Sequence, residues 1–222
     1  MPTTNIQSGI DGLVRQSSNT SYADAVGGSG NFNATTNNVA NVNTGTTFFC
    51  GRTYYRFDTT GIATDQVATS AAIIVQLESS NGGTTDDTEI HKFFNSTDHS
   101  SAFGSALFDT IGDAVTDAVD VGSTPDDFAL FTLDSTGLAY INTQIAAGNQ
   151  CAFLQRCQND YQNPGSTPSG VNTRTFNNFD NATSTDRPLL RITHDTPSTS
   201  TDKGMLTIHS NTIIVSSGLI KF

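Results

Sequence analysis

Acidic side chains are the most obvious candidates for chemistry in this chain, which has nineteen Asp and only two Glu. Carboxylate oxygens are the hard ligands that Ca²⁺ prefers. Several of these residues lie close together along the chain, at Asp86, Asp87, Asp109, Asp113, Asp117, Asp120, Asp126 and Asp127. No stretch has the alternating Asp ligands and central Gly of an EF-hand loop. We therefore expect solvated acidic loops and no cofactor, with a bound Ca²⁺ as the alternative.

Few other residues are spaced for catalysis. His91, Asp98 and His99 have the types needed to bind an ion or transfer a proton, although scattered His residues more often have structural roles. Glycoside hydrolysis needs two carboxyl groups, one with a raised pKa, and Glu78 and Glu89 both fall near strand or loop ends. The chain lacks the His-Glu-x-x-His, Cys-x-x-Cys and phosphate-binding Gly-Lys motifs. We expect a protein that is not an enzyme, with no catalytic or metal-binding residues.

The three cysteines are Cys50, Cys151 and Cys157. An odd number cannot pair completely within one chain, and a small disulfide-rich scaffold would have more. We expect all three to be reduced and buried as small apolar residues, with one disulfide as the alternative.

Aromatic side chains offer a second kind of site, because an aromatic ring can stack on a sugar. Four of them lie outside the strongest core pattern and are the candidate glycan contacts: Tyr54, Tyr161, Phe176 and Phe179. Packing in the core is the alternative role for these rings.

The elements that must position these residues are strands. Ser, Thr and Asn make up 75 of the 222 residues and Lys only three, so strong helix formers are scarce and turn residues abundant. Hydrophobic residues form 35% of the chain, enough for a core. A formal net charge of −11 argues against nucleic acid or an anionic membrane as partners, because both need a basic face. The longest apolar run, residues 71–75, is too short to span a bilayer.

Alternating apolar and polar residues locate the clearest strands. In residues 48–60, Thr53, Tyr55 and Phe57 share one face, which predicts a half-buried strand. In residues 68–80, one face has the apolar residues Ala71, Ile73, Val75 and Leu77. The first 47 residues predict only one edge strand and long loops.

One helix is predicted after residue 133. Asp134 or Ser135 can cap its start, Leu138, Ile141 and Ile145 follow helical spacing, and Gly148 ends it.

Three segments occur in a distinctive order: YYRFDTTGIATDQVATSAAIIVQL, GLAYINTQIAAGNQCAFLQR and FNNFDNATSTDRPLLRITHD. The order resembles the DNRLRE domain, a jelly-roll β-sandwich family close to certain carbohydrate-binding modules. In that family, Arg-Phe-Asp ends one strand, Ser-Ala opens the next and Arg-Pro begins the last. The matching residues here are Arg56, Phe57, Asp58, Ser70, Ala71, Arg187 and Pro188. The resemblance covers residues 11–195 and implies an all-β jelly-roll sandwich with one short helix. The six-residue motif that names the family is absent from this chain. We therefore infer no ligand binding from the resemblance.

We predict a sandwich domain over residues 1–196, followed by a linker and an apolar β tail over residues 197–222. Apolar residues gather in this tail and are the candidate interface: Leu206, Ile208, Ile213, Ile214, Val215, Leu219, Ile220 and Phe222. They can fold back as edge strands of the same sandwich or pair with neighbouring subunits by strand addition.

These observations favour a non-enzymatic structural protein of a bacteriophage virion, either a capsid decoration or cement protein or an appendage subunit. On this hypothesis the chain self-associates, as a trimer, and binds the major capsid protein or another virion protein. The alternative is an extracellular carbohydrate-binding module, with or without Ca²⁺, that recognises a polysaccharide.

Overall fold

A computed structural model describes residues 1–26, 31–33, 37–81, 88–93, 111–157, 160, 170–196, 206–209 and 212–215. The strands are β1 (Thr3–Ser18), β2 (Asn31–Asn33), β3 (Asn37–Asn43), β4 (Phe48–Phe57), β5 (Val67–Asn81), β6 (Thr88–Phe93), β7 (Ile111–Ala114), β8 (Phe128–Thr132), β9 (Cys151–Cys157), β10 (Val171–Phe176), β11 (Leu189–Asp195), β12 (Leu206–His209) and β13 (Thr212–Val215). The helices are α1 (Tyr22–Val26), α2 (Ser135–Ala147) and a 3₁₀ turn at Ser184–Asp186. No helix among these residues is long and apolar enough to cross a membrane.

The strands form two antiparallel sheets that share their longest strands, β1 and β5. Sheet A contains the start of β1, then β11, most of β5, and β8. Sheet B contains the rest of β1 and the end of β5, with β2, β3, β4, β6, β7, β9 and β10. The main core joins side chains of both sheets, including Ile73 and Ile192 from sheet A and Phe57 and Phe153 from sheet B. The predicted all-β sandwich is confirmed.

The helix α2 follows its predicted signals. The Asp134 carboxylate accepts a hydrogen bond from the Gly137 N–H at 2.8 Å, as expected for an N-cap. Gly148 ends the helix with a φ of 67°, a left-handed conformation that favours glycine. Ile141 and Ile145 are fully buried against the sandwich, which explains why a short helix forms here.

The first 47 residues contain more structure than the sequence predicted. β1 alone has 16 residues, and β2, β3 and α1 follow it. The register of β1 shifts between Ser8 and Ile10, at the point where the strand passes from sheet A to sheet B. Such a bulge changes the face on which later side chains lie. The apolar alternation therefore breaks in mid-strand, and the sequence pattern underestimated the strand.

β4 is buried on both faces, so the prediction of a half-buried strand was wrong. Tyr55 and Phe57 pack in the main core. Cys50 and Tyr54 belong to a second group, which we call the outer cluster: Tyr22, Ala25, Cys50, Tyr54, Ala152 and Leu154. Because α1 covers the outer face of β4 here, side chains on that face are also shielded from water.

Within the predicted apolar β tail, the structure describes two short strands. β12 and β13 pair antiparallel, with Leu206 opposite Val215 and Ile208 opposite Ile213. This register places those four apolar positions on one face of the hairpin. The predicted interface residues Leu219, Ile220 and Phe222 lie outside the described residues, and the predicted boundary at residue 197 stays a prediction.

Candidate interaction surface

The outer face of sheet A carries four adjoining apolar side chains, of which two on β8 are exposed and two on β5 and β11 are half-buried. Leu189 on β11 lies opposite Ile74 on β5, and Ile74 lies opposite Leu130 on the sheet's edge strand β8. Leu130 and its neighbour Phe128 are 52% and 56% exposed, whereas the intervening Ala129 is buried. We call Leu189, Ile74, Leu130 and Phe128 the apolar strip. Within the described part of the chain, β8 pairs only with β5, so the strip ends at an edge of β8 that no described strand covers.

A polar pocket of about 560 Å³ lies beside this strip and shares Leu189 with it. Its other lining residues are Asn5, Gln7, Ser184, Thr185 and Arg187. The Gln7 side-chain amide donates to the Ser184 carbonyl at 2.6 Å, which ties β1 to the turn before β11. Arg187 Nε donates to the Asn181 carbonyl at 2.8 Å. The terminal nitrogens of Arg187 are donors of a kind that suits hydroxyl or carboxylate groups.

The His side chains that the structure describes make hydrogen bonds within the fold. A nucleophilic hydroxyl needs an adjacent general base, and the two His side chains that the structure describes serve other partners. His91 Nδ1 is 3.1 Å from the Gly112 carbonyl, and His194 bonds Thr4 at 2.9 Å and Gln66 at 3.0 Å. Asp98 and His99, the other members of the predicted His-Asp group, lie outside the described residues.

Two of the four predicted glycan contacts cannot stack on a sugar. Tyr54 and Phe176 are 0% and 1% exposed, because Tyr54 packs in the outer cluster and Phe176 in the main core. Phe179 is half-buried, and Tyr161 lies outside the described residues. For Tyr54 and Phe176 the alternative role, core packing, is therefore the correct one.

The acidic residues do not gather around a common point where the structure describes them. In that part of the chain, no three His, Cys, Asp or Glu side chains come close enough to hold a metal ion together. Asp120 instead accepts a hydrogen bond from the Gly122 N–H at 2.8 Å and so stabilises a turn. Asp86, Asp87 and Asp109 lie outside the described residues.

The three cysteines are free and buried, as predicted. Burial raises the pKa of the Cys151 thiol to about 12, and it also raises the pKa of Cys50. Both thiols are therefore protonated and unreactive at neutral pH.

A buried group of charges was missed by the sequence analysis. Arg52 donates to both carboxylate oxygens of Asp160, from Nε at 2.7 Å and from Nη2 at 2.8 Å. Arg156 Nε lies 3.1 Å from the same carboxylate. Burial alone would raise the pKa of Asp160, but the hydrogen bonds and charge of Arg52, together with the charge of Arg156, hold it below its usual value. Along one edge of β4, the partner strand changes from β3 to β9 at Arg52. The buried charges lie at this junction, and this position indicates a structural role.

Asp11 was also missed, because an Asp in the middle of a strand gives no signal of its own. It lies on β1 opposite Tyr55 and is fully buried. Burial raises the pKa of its carboxyl group to about 7.

Comparison with known proteins found no match, either to a family model or to a curated protein sequence. The resemblance to the DNRLRE domain therefore stays a prediction.

Proposed function

We propose that this chain is a non-enzymatic structural protein that assembles through its surface, and that it serves as a decoration or appendage subunit of a bacteriophage virion. The observation that carries the proposal is the apolar strip at the open edge of β8. Exposed apolar side chains that adjoin one another on a sheet face mark an interaction surface, whereas single exposed ones are common on any protein.

The tail hairpin supports the same proposal. An isolated two-stranded hairpin is at best marginally stable in water. β12 and β13 have four apolar positions on one face, so the hairpin gains stability when that face is covered. Subunits that cover each other's apolar surface form a homo-oligomer. The partners that this proposal requires are other copies of the chain and a neighbouring virion protein.

The oligomeric state tests the assembly. We expect the full chain to be a trimer or larger by light scattering coupled to size exclusion, and residues 1–196 alone to be smaller.

Replacing Leu130 by Asp should weaken assembly, because a charge would be desolvated in the interface. Thr64→Asp is the control, since Thr64 is exposed outside the strip, and it should assemble as the wild type does. A full chain that stays monomeric at micromolar concentration would rule out self-assembly.

The place of the protein in a virion needs its own test. Mass spectrometry of purified phage particles should find the chain in a fixed ratio to the major capsid or tail protein. Its absence from particles that are otherwise complete would contradict the virion assignment while leaving self-assembly untouched.

The polar pocket favours a second candidate, a carbohydrate-binding module. Amide, hydroxyl and guanidinium groups beside Leu189 match the mixed polar and apolar character of a saccharide. A glycan array, with and without Ca²⁺, tests it: binding to a polysaccharide should be lost in Arg187→Gln but kept in Arg191→Gln, whose side chain is exposed nearby on β11. An array without any bound glycan would contradict this candidate.

A further inference from the structure

The outer edge of β8 is suited to receive a further strand. β8 is the last strand of sheet A, and among the described strands it pairs only with β5. Natural proteins usually protect such an edge with charged residues, proline or a bulge. β8 has the sequence Phe-Ala-Leu-Phe-Thr and pairs with β5 in an unbroken register, so it has none of these protections. An uncharged apolar edge of this kind favours strand addition.

The tail hairpin, formed by β12 and β13, has the length and the alternation that this edge requires. Where the structure describes the chain, the two strands pair only with each other. Each has four residues, against five in β8. Ile213 and Val215 are two positions apart on β13, as Phe128 and Leu130 are on β8. Antiparallel pairing therefore places Ile213 opposite Leu130 and Val215 opposite Phe128.

We propose that the tail hairpin of one copy of the chain adds to the edge of β8 in a second copy, with β13 next to β8 in this antiparallel register. Because Ile208 lies opposite Ile213 within the hairpin, one row of apolar positions then crosses five strands. The row consists of Leu189, Ile74, Leu130, Ile213 and Ile208. This inference rests on the self-assembly proposed above and names the segment that covers the apolar strip.

The composition of the hairpin determines which of its strands lies next to β8. An inner strand needs apolar residues on both faces, whereas an edge strand tolerates polar ones. β13 has the sequence Thr-Ile-Ile-Val, and the register puts Ile214 opposite Ala129, on the buried side of β8. β12 alternates its apolar residues with Thr207 and His209. β13 therefore suits the inner place, and β12 becomes the new edge strand.

The length of the chain favours a second copy over the sandwich of the same chain. β11 ends at Asp195, level with Val67 on β5, whereas this register puts Leu206 level with Gln76. Four strand spacings of about 4.8 Å and roughly nine residues of about 3.4 Å separate the two places, a distance of about 35 Å. The eleven steps from Asp195 to Leu206 cover it only when almost fully extended, at about 3.3–3.6 Å each. A neighbouring copy can lie closer to the end of β11, so that these residues need not be stretched.

Charge favours the tail over a second copy of β8 as the added strand. The exposed residues Asp126 and Asp127 precede β8, and Asp134 follows it. Two β8 strands paired antiparallel would bring the acidic start of one close to the acidic end of the other, and like charges that face each other are destabilising. β12 and β13 contain no acidic residue, and residues 197–222 as a whole have two Lys and one Asp in a chain of net charge −11.

The exchange of tails gives the assembly a direction. Each copy provides a hairpin to one neighbour and receives a hairpin from another, so the contact joins two different surfaces. Contacts of this kind close into a ring when the rotation between copies allows it. A ring of three copies is the trimer that the proposed function expects.

A disulfide between two variants of the full chain tests the contact. Directly opposite residues of an antiparallel pair have Cα atoms about 4.5–5.5 Å apart, within the range of a disulfide. Under mild oxidation, a mixture of Leu130→Cys and Ile213→Cys chains should form a covalent mixed dimer, identified by mass spectrometry of the linked peptides. Thr64→Cys mixed with Ile213→Cys is the control and should not form one, because Thr64 is exposed outside the strip. The native cysteines are buried and do not compete.

The double variant Leu130→Cys/Ile213→Cys shows whether the hairpin binds its own chain or a neighbour. Disulfides between copies should give covalent trimers on a non-reducing gel. A disulfide that leaves the chain monomeric would overturn the proposal. So would a wild-type chain that assembles while the Leu130 and Ile213 variants link no more than the Thr64 control, and that result would leave the proposed self-assembly intact. A monomeric wild-type chain would contradict both.

Sedimentation equilibrium gives a second readout that needs no cross-link. Ile213→Asp puts a charge into the apolar row and should raise the dissociation constant of the assembly at least about tenfold. Thr64→Asp adds the same charge at an exposed site outside the strip and should change that constant by no more than about twofold. Equal effects of the two substitutions would show that β13 lies outside the interface and would overturn the proposal.

Discussion

Asp160 holds two guanidinium groups in a part of the protein that water does not reach. Its carboxylate is fully buried and bonds Arg52 through both oxygens. Removing one partner of a buried ion pair leaves the other charge without compensation and typically costs about 3–5 kcal/mol. We therefore expect Asp160→Asn to lower the free energy of unfolding by about that amount, as measured by denaturant titration. Asp65→Asn, at an exposed site, should change it by less than about 0.5 kcal/mol; equal effects of the two substitutions would contradict a structural role for the cluster.

The two buried Asp residues respond to pH in opposite directions. The pKa of Asp160 is held below its usual value, so its contribution to stability is present at neutral pH and is lost as the pH falls below about 4. The pKa of Asp11 is raised, so its contribution is lost as the pH rises. The same residue type thus responds to pH in two ways, and the difference comes from the surroundings: Arg52 and Arg156 hold the pKa of Asp160 down, whereas burial and the negative charge of Asp180 raise the pKa of Asp11.

Packing requires a glycine at position 137, in the first turn of α2, because a side chain there would collide with its neighbours. A Cβ atom added there would lie 2.8 Å from Leu133 Cδ2 and 3.0 Å from Val115 Cβ, closer than ordinary contacts. Gly137→Ala would gain up to about 1 kcal/mol of helix propensity, but overpacking of a core site typically costs about 1–3 kcal/mol. We expect a net loss of stability in thermal unfolding, whereas Thr136→Ala, at the exposed neighbouring position, should be neutral or stabilising. If Gly137→Ala proved more stable than the wild type, Leu133 and Val115 would have to move aside freely.

Elements with an uninterrupted pattern were predictable from the sequence. Leu77 and the other inward residues of β5, and the cap and stop residues of α2, gave local signals that the structure confirms. β1 was not predictable at its full length, because its bulge at Ser8 and Ile10 interrupts the alternation. The exposed strip on β8 was not recognised either, since only the pairing of β8 with β5 and the burial of Ala129 show that Phe128 and Leu130 face outward. The buried partners Arg52 and Asp160 are far apart in sequence, so no local pattern could join them.

At the scale of the whole molecule, a net charge of −11 and an exposed apolar strip act against each other in assembly. In the proposed assembly, copies of this acidic protein repel one another, while burial of the strip favours their association. Raising the salt concentration from about 0.02 to about 0.5 M shortens the Debye length from roughly 20 Å to roughly 4 Å and so screens the repulsion. We therefore expect self-association, measured by sedimentation velocity, to become tighter as salt increases.

The direction of this salt effect distinguishes two kinds of interface. An interface built on ion pairs would weaken in salt, because the attraction between the charges is screened. An interface built on the apolar strip should strengthen, and Leu130→Asp should lose most of that gain, since it puts another negative charge and a polar group where apolar surface would be buried. Association that weakens steadily with salt in the wild-type protein would place the contact elsewhere on the molecule, at its charged surface.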